Sequence, residues 1–157
     1  MNRLLGYTAA LVAAAAVAVA GATAATQVPL TGHDTGAAAV VGGGGSVIVT
    51  SDIATGEASQ LGRYSMVAGE HVDLATGAIT DGFFVLTAAN GDTLTGTYSG
   101  QALPGLTGYL VSGPITGGRG RFAGARGTIV FHGLVDPIAL TFSDVVTGEV
   151  STVGSDR

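Results

Sequence analysis

The chain has 157 residues, a formal net charge of −5, no cysteine and no lysine, and only 11% of its residues are charged. An acidic, lysine-free surface argues against nucleic acid or an anionic membrane as partner, since both reward clustered cations. The missing cysteines exclude a disulfide scaffold and leave any metal site to His, Asp or Glu alone.

The first element in chain order is an export signal. Arg3 precedes an apolar run, Ala9–Ala20, and the small residues Ala22-Thr23-Ala24 fit the cleavage rule, so residues 1–24 are predicted to be removed and the mature chain to begin at Ala25. A cut after Ala18-Val19-Ala20 is the alternative, and a retained anchor is the competing reading. That run is short of the roughly 20 apolar residues a spanning helix needs, and alanine is weakly hydrophobic. The expected product is secreted or periplasmic, with no stable membrane insertion after cleavage. Residues 25–45 then read as a flexible leader, because Thr31–Gly36 shows no periodicity and Gly42–Gly45 disfavours regular structure.

From residue 46 to 157 a single domain is expected. Glycine, at 27 residues, is far above its usual share, yet proline is scarce and Val, Ile, Leu, Thr and Phe fill the intervals, which is a folded all-β composition. Strands are predicted over Ser46–Thr50, Glu57–Val67, Thr80–Thr87, Thr93–Ser99, Leu106–Ile115, Thr128–His132, Ile138–Phe142 and Glu149–Val153. Asn90-Gly91 marks a hairpin, and the strand after it alternates, with Thr93, Thr95, Thr97 and Ser99 on one face and Leu94, Gly96 and Tyr98 on the other. The pattern D-x-x-T-G recurs at Asp52–Gly56, Asp73–Gly77 and Asp144–Gly148 and reads as three turns. Each offers too few carboxylates for calcium, which takes about six to eight oxygens.

Eight antiparallel runs suit a closed barrel or a sandwich. Strand patterning does not separate these, and the choice of a barrel rests on a resemblance carried by the segment Gly117-Gly118-Arg119-Gly120-Arg121-Phe122-Ala123-Gly124-Ala125-Arg126-Gly127. Its pattern G-G-x-G-x-F-x-x-A-x-G resembles the signature of the barrel superfamily that includes allene oxide cyclases and dirigent proteins. Gly62-Arg63-Tyr64 is similar to an early strand of exported bacterial members, and Ala125-Arg126-Gly127 to the A-R-G of dirigent proteins. Arg119 departs from the pattern, which usually has Thr or Ser there. The resemblance implies an eight-stranded antiparallel β-barrel with a hydrophobic lumen that works without a cofactor. It carries over no catalytic residue. Gly117, Gly118, Gly120, Phe122, Gly124 and Gly127 are expected to form a tight structural loop with Phe122 buried.

Chemical constellations are sparse. Gly118-x-Gly120-x-x-x-Gly124 matches a relaxed dinucleotide fingerprint, but a strand follows it where a helix N-terminus is required. No G-x-S-x-G elbow is present, Ser65, Ser99 and Ser112 have no base nearby in sequence, and His33, His71 and His132 lack zinc spacing. Arg63, Tyr64, Tyr98, Tyr109 and His132 are the candidate ligand-binding residues, with Arg63 either inward and paired with an acid or at the rim, and His132 either in the lumen or on the surface. Arg119, Arg121 and Arg126 either bind an acidic ligand group or neutralise nearby turn acids.

Three functions remain open: a module binding a small apolar molecule, a cyclase or isomerase without cofactor or metal (or a dirigent-like, stereo-directing protein), and a structural barrel with a packed interior. Intact-mass measurement of protein recovered from the producing cell is expected to show a chain starting at or near Ala25; a membrane-bound product retaining Met1 would establish an anchor instead.

Overall fold

The computed structural model describes residues 26–151, so the predicted export signal lies outside the described residues. Eight strands run in chain order: β1 (Gln27–Gly44), β2 (Val47–Ala58), β3 (Gly62–Asp73), β4 (Ala78–Ala88), β5 (Thr93–Ala102), β6 (Gly108–Arg119), β7 (Gly127–Asp136) and β8 (Thr141–Ser151). Each pairs antiparallel with its neighbours, and β1 pairs with β8 to close the barrel. Closure leaves no sheet edge unpaired and divides the residues into an inner and an outer face.

The expected eight-stranded antiparallel barrel is therefore present, but its strands differ from those predicted. The flexible leader expected over residues 25–45 is instead β1, an 18-residue strand paired on both sides. Its small residues fit because Gly32 and Gly36 pack directly against β2, where a Cβ would collide with the Glu57 and Ile53 carbonyls. Conversely, Ile138–Phe142 and Glu149–Val153 are not two strands. Phe142 and Glu149 both belong to the single strand β8, and Ile138 lies in the preceding turn. The count of eight arose from one strand missed and one divided.

Of the three D-x-x-T-G segments, only Asp73–Gly77 is a turn. Its Asp73 carboxylate accepts the Ala75 N–H at 2.9 Å, and Gly77 has φ +75°. Asp52–Gly56 and Asp144–Gly148 run through the middle of β2 and β8. The Asn90-Gly91 turn joins β4 to β5 as expected, with Gly91 at φ +87°. There the Asn90 side chain accepts the Asp92 N–H at 3.1 Å.

One end of the barrel is filled. Leu30, Leu61, Leu86, Leu94, Ile115, Ile129 and Val150 are buried there around Phe122, whose exposure is 0%. Phe122 follows β6 in a short 3-10 turn, Gly120–Phe122, and tucks beneath the strand ends. Gly120 holds φ +64°, and Gly118 passes so close to Thr93 that a Cβ would strike its carbonyl oxygen. The Arg126 guanidinium donates to the Thr116 carbonyl at 2.5 Å and to that of Ala125 at 2.8 Å, tying the loop to β6. Arg121 approaches Asp92 at 3.5 Å and lies over the Phe122 ring. Arg121 thus sits against a turn acid, the structural alternative foreseen for the cluster, whereas Arg126 holds the loop through backbone carbonyls.

Replacing Phe122 with Ala is expected to cost roughly 3–5 kcal/mol in urea unfolding, since it empties the centre of this closed end. An unchanged unfolding midpoint would show that the loop is not the plug.

Candidate functional site

Inward positions follow from the strand alternation. Asp34 on β1, Asp52 on β2, Tyr64, Met66, Ala68 and Glu70 on β3, Phe84 on β4, Tyr98 on β5, Tyr109 and Val111 on β6, Phe131 on β7, and Phe142 and Asp144 on β8 face the lumen. β4 carries a bulge at Asp81, where φ is +54°, so its inward set shifts from Ile79 to Gly82 and Phe84 across from Glu70.

Three hydroxyl–carboxyl contacts organise this interior. Tyr64 donates to Asp34 at 2.5 Å, Tyr98 to Glu70 at 2.5 Å, and Tyr109 to Asp144 at 2.7 Å. Asp34 and Asp144 stand directly opposite each other across β1 and β8. Asp52 is the exception: no tyrosine reaches it, its Oδ2 takes only the Thr50 hydroxyl at 3.3 Å, and its Oδ1 has no hydrogen-bond donor. Glycines opposite the rings make the packing possible. A Cβ on Gly133 would lie 2.6 Å from Asp144 Oδ1 and would run into the Tyr109 ring, and one on Gly82 would run into the Tyr98 ring.

Asp34, Asp52 and Asp144 are 1%, 6% and 3% exposed. No basic side chain among the described residues lines the lumen cavity with them. Burial raises the pKa of Asp34. It pushes Asp52 up to about 8, helped by the adjoining Glu70 carboxyl group. Burial likewise pushes Asp144 up to about 7, opposed by the Tyr109 hydroxyl and reinforced by Asp34. Carboxyl groups crowded together without a counter-cation retain protons that isolated ones lose, and they titrate as a unit. Burial and the adjoining carboxylates also raise the pKa of Tyr64, Tyr98 and Tyr109, so these hydroxyls remain donors.

The lumen opens at the end away from Phe122. Its inner section has a volume of about 30 Å³ and is lined by Asp52, Glu70, Tyr98, Tyr109 and Asp144 together with Met66 and Phe131. A wider outer section of about 120 Å³ has mainly apolar walls, including Val72, Ile79, Ala102, Val135, Leu140 and Phe142. Asp52, Glu70 and Tyr109 line both sections and form the floor between them.

Of the residues singled out from the sequence, Tyr64, Tyr98 and Tyr109 face inward, and the structure brings them together around carboxyl groups. Arg63 and His132 do not join them. Both are exposed on the outer face, where Arg63 stands opposite Glu57, and His132 lies between Leu110 and Val145. Each is out of phase with the inward residues of its strand, Tyr64 and Phe131 respectively. The four acids were missed because two of them were assigned to turns, Asp34 to a leader, and Glu70 only to a possible pairing with Arg63. Among the described residues no group of three or more His, Cys, Asp or Glu could hold a metal ion.

No protein-family model, curated protein or solved structure matches the chain.

The acids predict an inverted pH dependence of stability. Their pKa values are higher folded than unfolded, so the stability they contribute is complete below the ordinary carboxylate range and is lost as pH rises through about 7 to 8. Each such group costs about 1.4 kcal/mol per pH unit between its two pKa values. The urea midpoint is expected to fall between pH 5 and pH 8.5, and Asp52→Asn should flatten that slope. A midpoint that rises over the same interval would show that the lumen is fully ionised without penalty.

Proposed function

We propose that this protein is an exported barrel that binds a small, mainly apolar molecule in the open end of its lumen. The observation carrying this reading is the outer cavity section, whose apolar walls end on a floor of tyrosine and carboxyl groups. Apolar walls supply affinity without direction, and a few polar groups at the base fix orientation. A volume of about 120 Å³ suits a ligand of roughly one ring, since an apolar cavity of about 150 Å³ accepts benzene. It falls below the few hundred cubic ångströms of a drug-sized site.

The surroundings of the mouth fit an apolar visitor. Val40, Val41, Leu103, Ile138 and Leu140 are exposed on the strand ends and loops at this end. Secretion or transfer to a periplasm rests on the N-terminal sequence pattern. Membership of the allene oxide cyclase and dirigent-like superfamily rests on the glycine-rich segment and on the barrel topology.

A second reading, a cofactor-independent cyclase or isomerase or a dirigent-like protein, is favoured by one observation. Asp52 and Asp144 titrate at about 8 and about 7, in the range where a carboxyl group can deliver or accept a proton at neutral pH. The third possibility, a barrel that serves only as structure, accounts for the filled Phe122 end but not for the open one.

The binding reading predicts that millimolar toluene will shift the NMR methyl signals of Val72, Ile79 and Val135 while leaving those of Leu94 and Val150 unmoved. Ala102→Phe should abolish the response by filling the outer section. Absence of any shift in the unaltered protein would eliminate the site.

A further inference from the structure

We infer that the molecule this lumen selects is an organic amine, held as its ammonium ion by Asp52 with Glu70 beside it. The inference rests on the binding reading above and names the chemical class of the ligand.

The first argument is the distribution of donors. Every tyrosine hydroxyl in the lumen is already committed, to Asp34, Glu70 or Asp144. A ligand that needs a donor from the protein finds none free at the floor, whereas one that brings donors finds acceptors. Two buried carboxyl oxygens have no partner, Asp34 Oδ1 and Asp52 Oδ1, and of these residues Asp52 is the one that lines both cavity sections, with a side chain 6% exposed. A buried acceptor without a donor is costly, and its satisfaction by a ligand is correspondingly favourable.

The second argument is charge. The groups facing the floor from every strand packed around it are Asp34, Asp52, Glu70 and Asp144 with Tyr64, Tyr98 and Tyr109. All of them are neutral or negative, and the arginines nearest in sequence, Arg63 and Arg126, are exposed. An anionic ligand would meet repulsion and a neutral one would leave the charge unbalanced. A cation compensates it, and an ammonium group does so with three donors directed at separate oxygens.

The third argument is shape. Among the described residues there is no cluster suited to a metal ion, and the cavity continues outward from the acids between apolar walls. A bare ion would leave those walls uncovered. A ring or short chain attached to an ammonium group fills both parts, with its charge at the floor and its carbon against Val72, Val135 and Phe142.

Binding then exchanges one cation for another. At neutral pH, burial and the adjacent Glu70 carboxyl group keep a proton on Asp52. The ammonium takes that place, the Asp52 proton leaves to solvent, and charge is conserved at the site. Affinity therefore rises with pH as Asp52 gives up its proton more readily, up to the pH at which the amine itself becomes neutral.

Isothermal titration with benzylamine, benzyl alcohol and toluene tests this. At pH 8 benzylamine is expected to bind roughly tenfold tighter than benzyl alcohol, the difference between a charge-assisted and a neutral hydrogen bond. Its affinity should be weaker at pH 6, and its enthalpy should vary with the ionisation enthalpy of the buffer, reporting release of a proton. Asp52→Asn should erase the preference for the amine while retaining toluene binding. The buffer dependence is measured on the unaltered protein, so it decides the matter even where the variant fails to fold. Equal or weaker binding of benzylamine with toluene still bound, or no proton release, would overturn the amine assignment and leave the apolar site standing. Failure of all three compounds to bind would overturn both.

Discussion

Everything in the interior depends on the antiparallel pairing of β1 with β8. That pairing sets Asp34 against Asp144, encloses the tyrosines that bond to them, and removes from water a group of acids that would be unremarkable on an open sheet. A carboxyl group in a closed lumen must be hydrogen-bonded, protonated or matched by a cation. Here tyrosines bond three of the four acids, and the fourth, Asp52, keeps its proton at neutral pH. The unusual pKa values of Asp52 and Asp144 are consequences of closure, not of any local sequence pattern.

The two ends of the barrel divide the work. At the Phe122 end the lumen is occupied by Leu30, Leu86, Leu94, Ile129 and Val150, with the glycine-rich loop and Arg126 fastening the base. This apolar packing supplies the stability that allows the other end to carry buried acids. Toward the mouth, glycines replace inward side chains opposite Tyr98, Tyr109 and Phe142, and the rings lie across them. The high glycine content is thus a packing device: large rings and small gaps alternate across neighbouring strands. Phe131 links the two regions through its contacts with Phe84 and Tyr98.

On the proposed reading, the floor of the cavity would serve recognition and proton transfer through the same atoms. Asp52 and Glu70 sit where a ligand entering between Val72 and Val135 would first meet polar groups. A proton held there can be exchanged for a ligand cation or passed to a ligand atom, and both processes draw on the energetic cost of keeping charge out of water. The outer surface takes no part in this. Arg63 and His132 face solvent, and the open lumen is lined by acids and tyrosines.

Several features were legible in the sequence because they are local. Alternation through Thr93–Ser99 put Tyr98 on one face with Leu94 and Gly96, Asn90-Gly91 announced a turn, and the glycines around Phe122 marked a tight loop with a buried ring. Other features were not. A stretch such as Thr31–Gly36 looks structureless until strands on both sides supply its hydrogen bonds, and Asp52 and Asp144 resemble turn residues because D-x-x-T-G is a turn pattern when nothing pairs with it. Asp73 obeys that pattern while the other two do not, and nothing within five residues distinguishes them. The sequence by itself determined that the chain is all-β with a tight glycine-built loop around Phe122, while closure into a barrel depends on the pairing of β1 with β8. Only the tertiary structure decided that its acids point inward, because the orientation of each strand depends on register and bulges set by its neighbours, which for β1 and β8 lie more than a hundred residues apart.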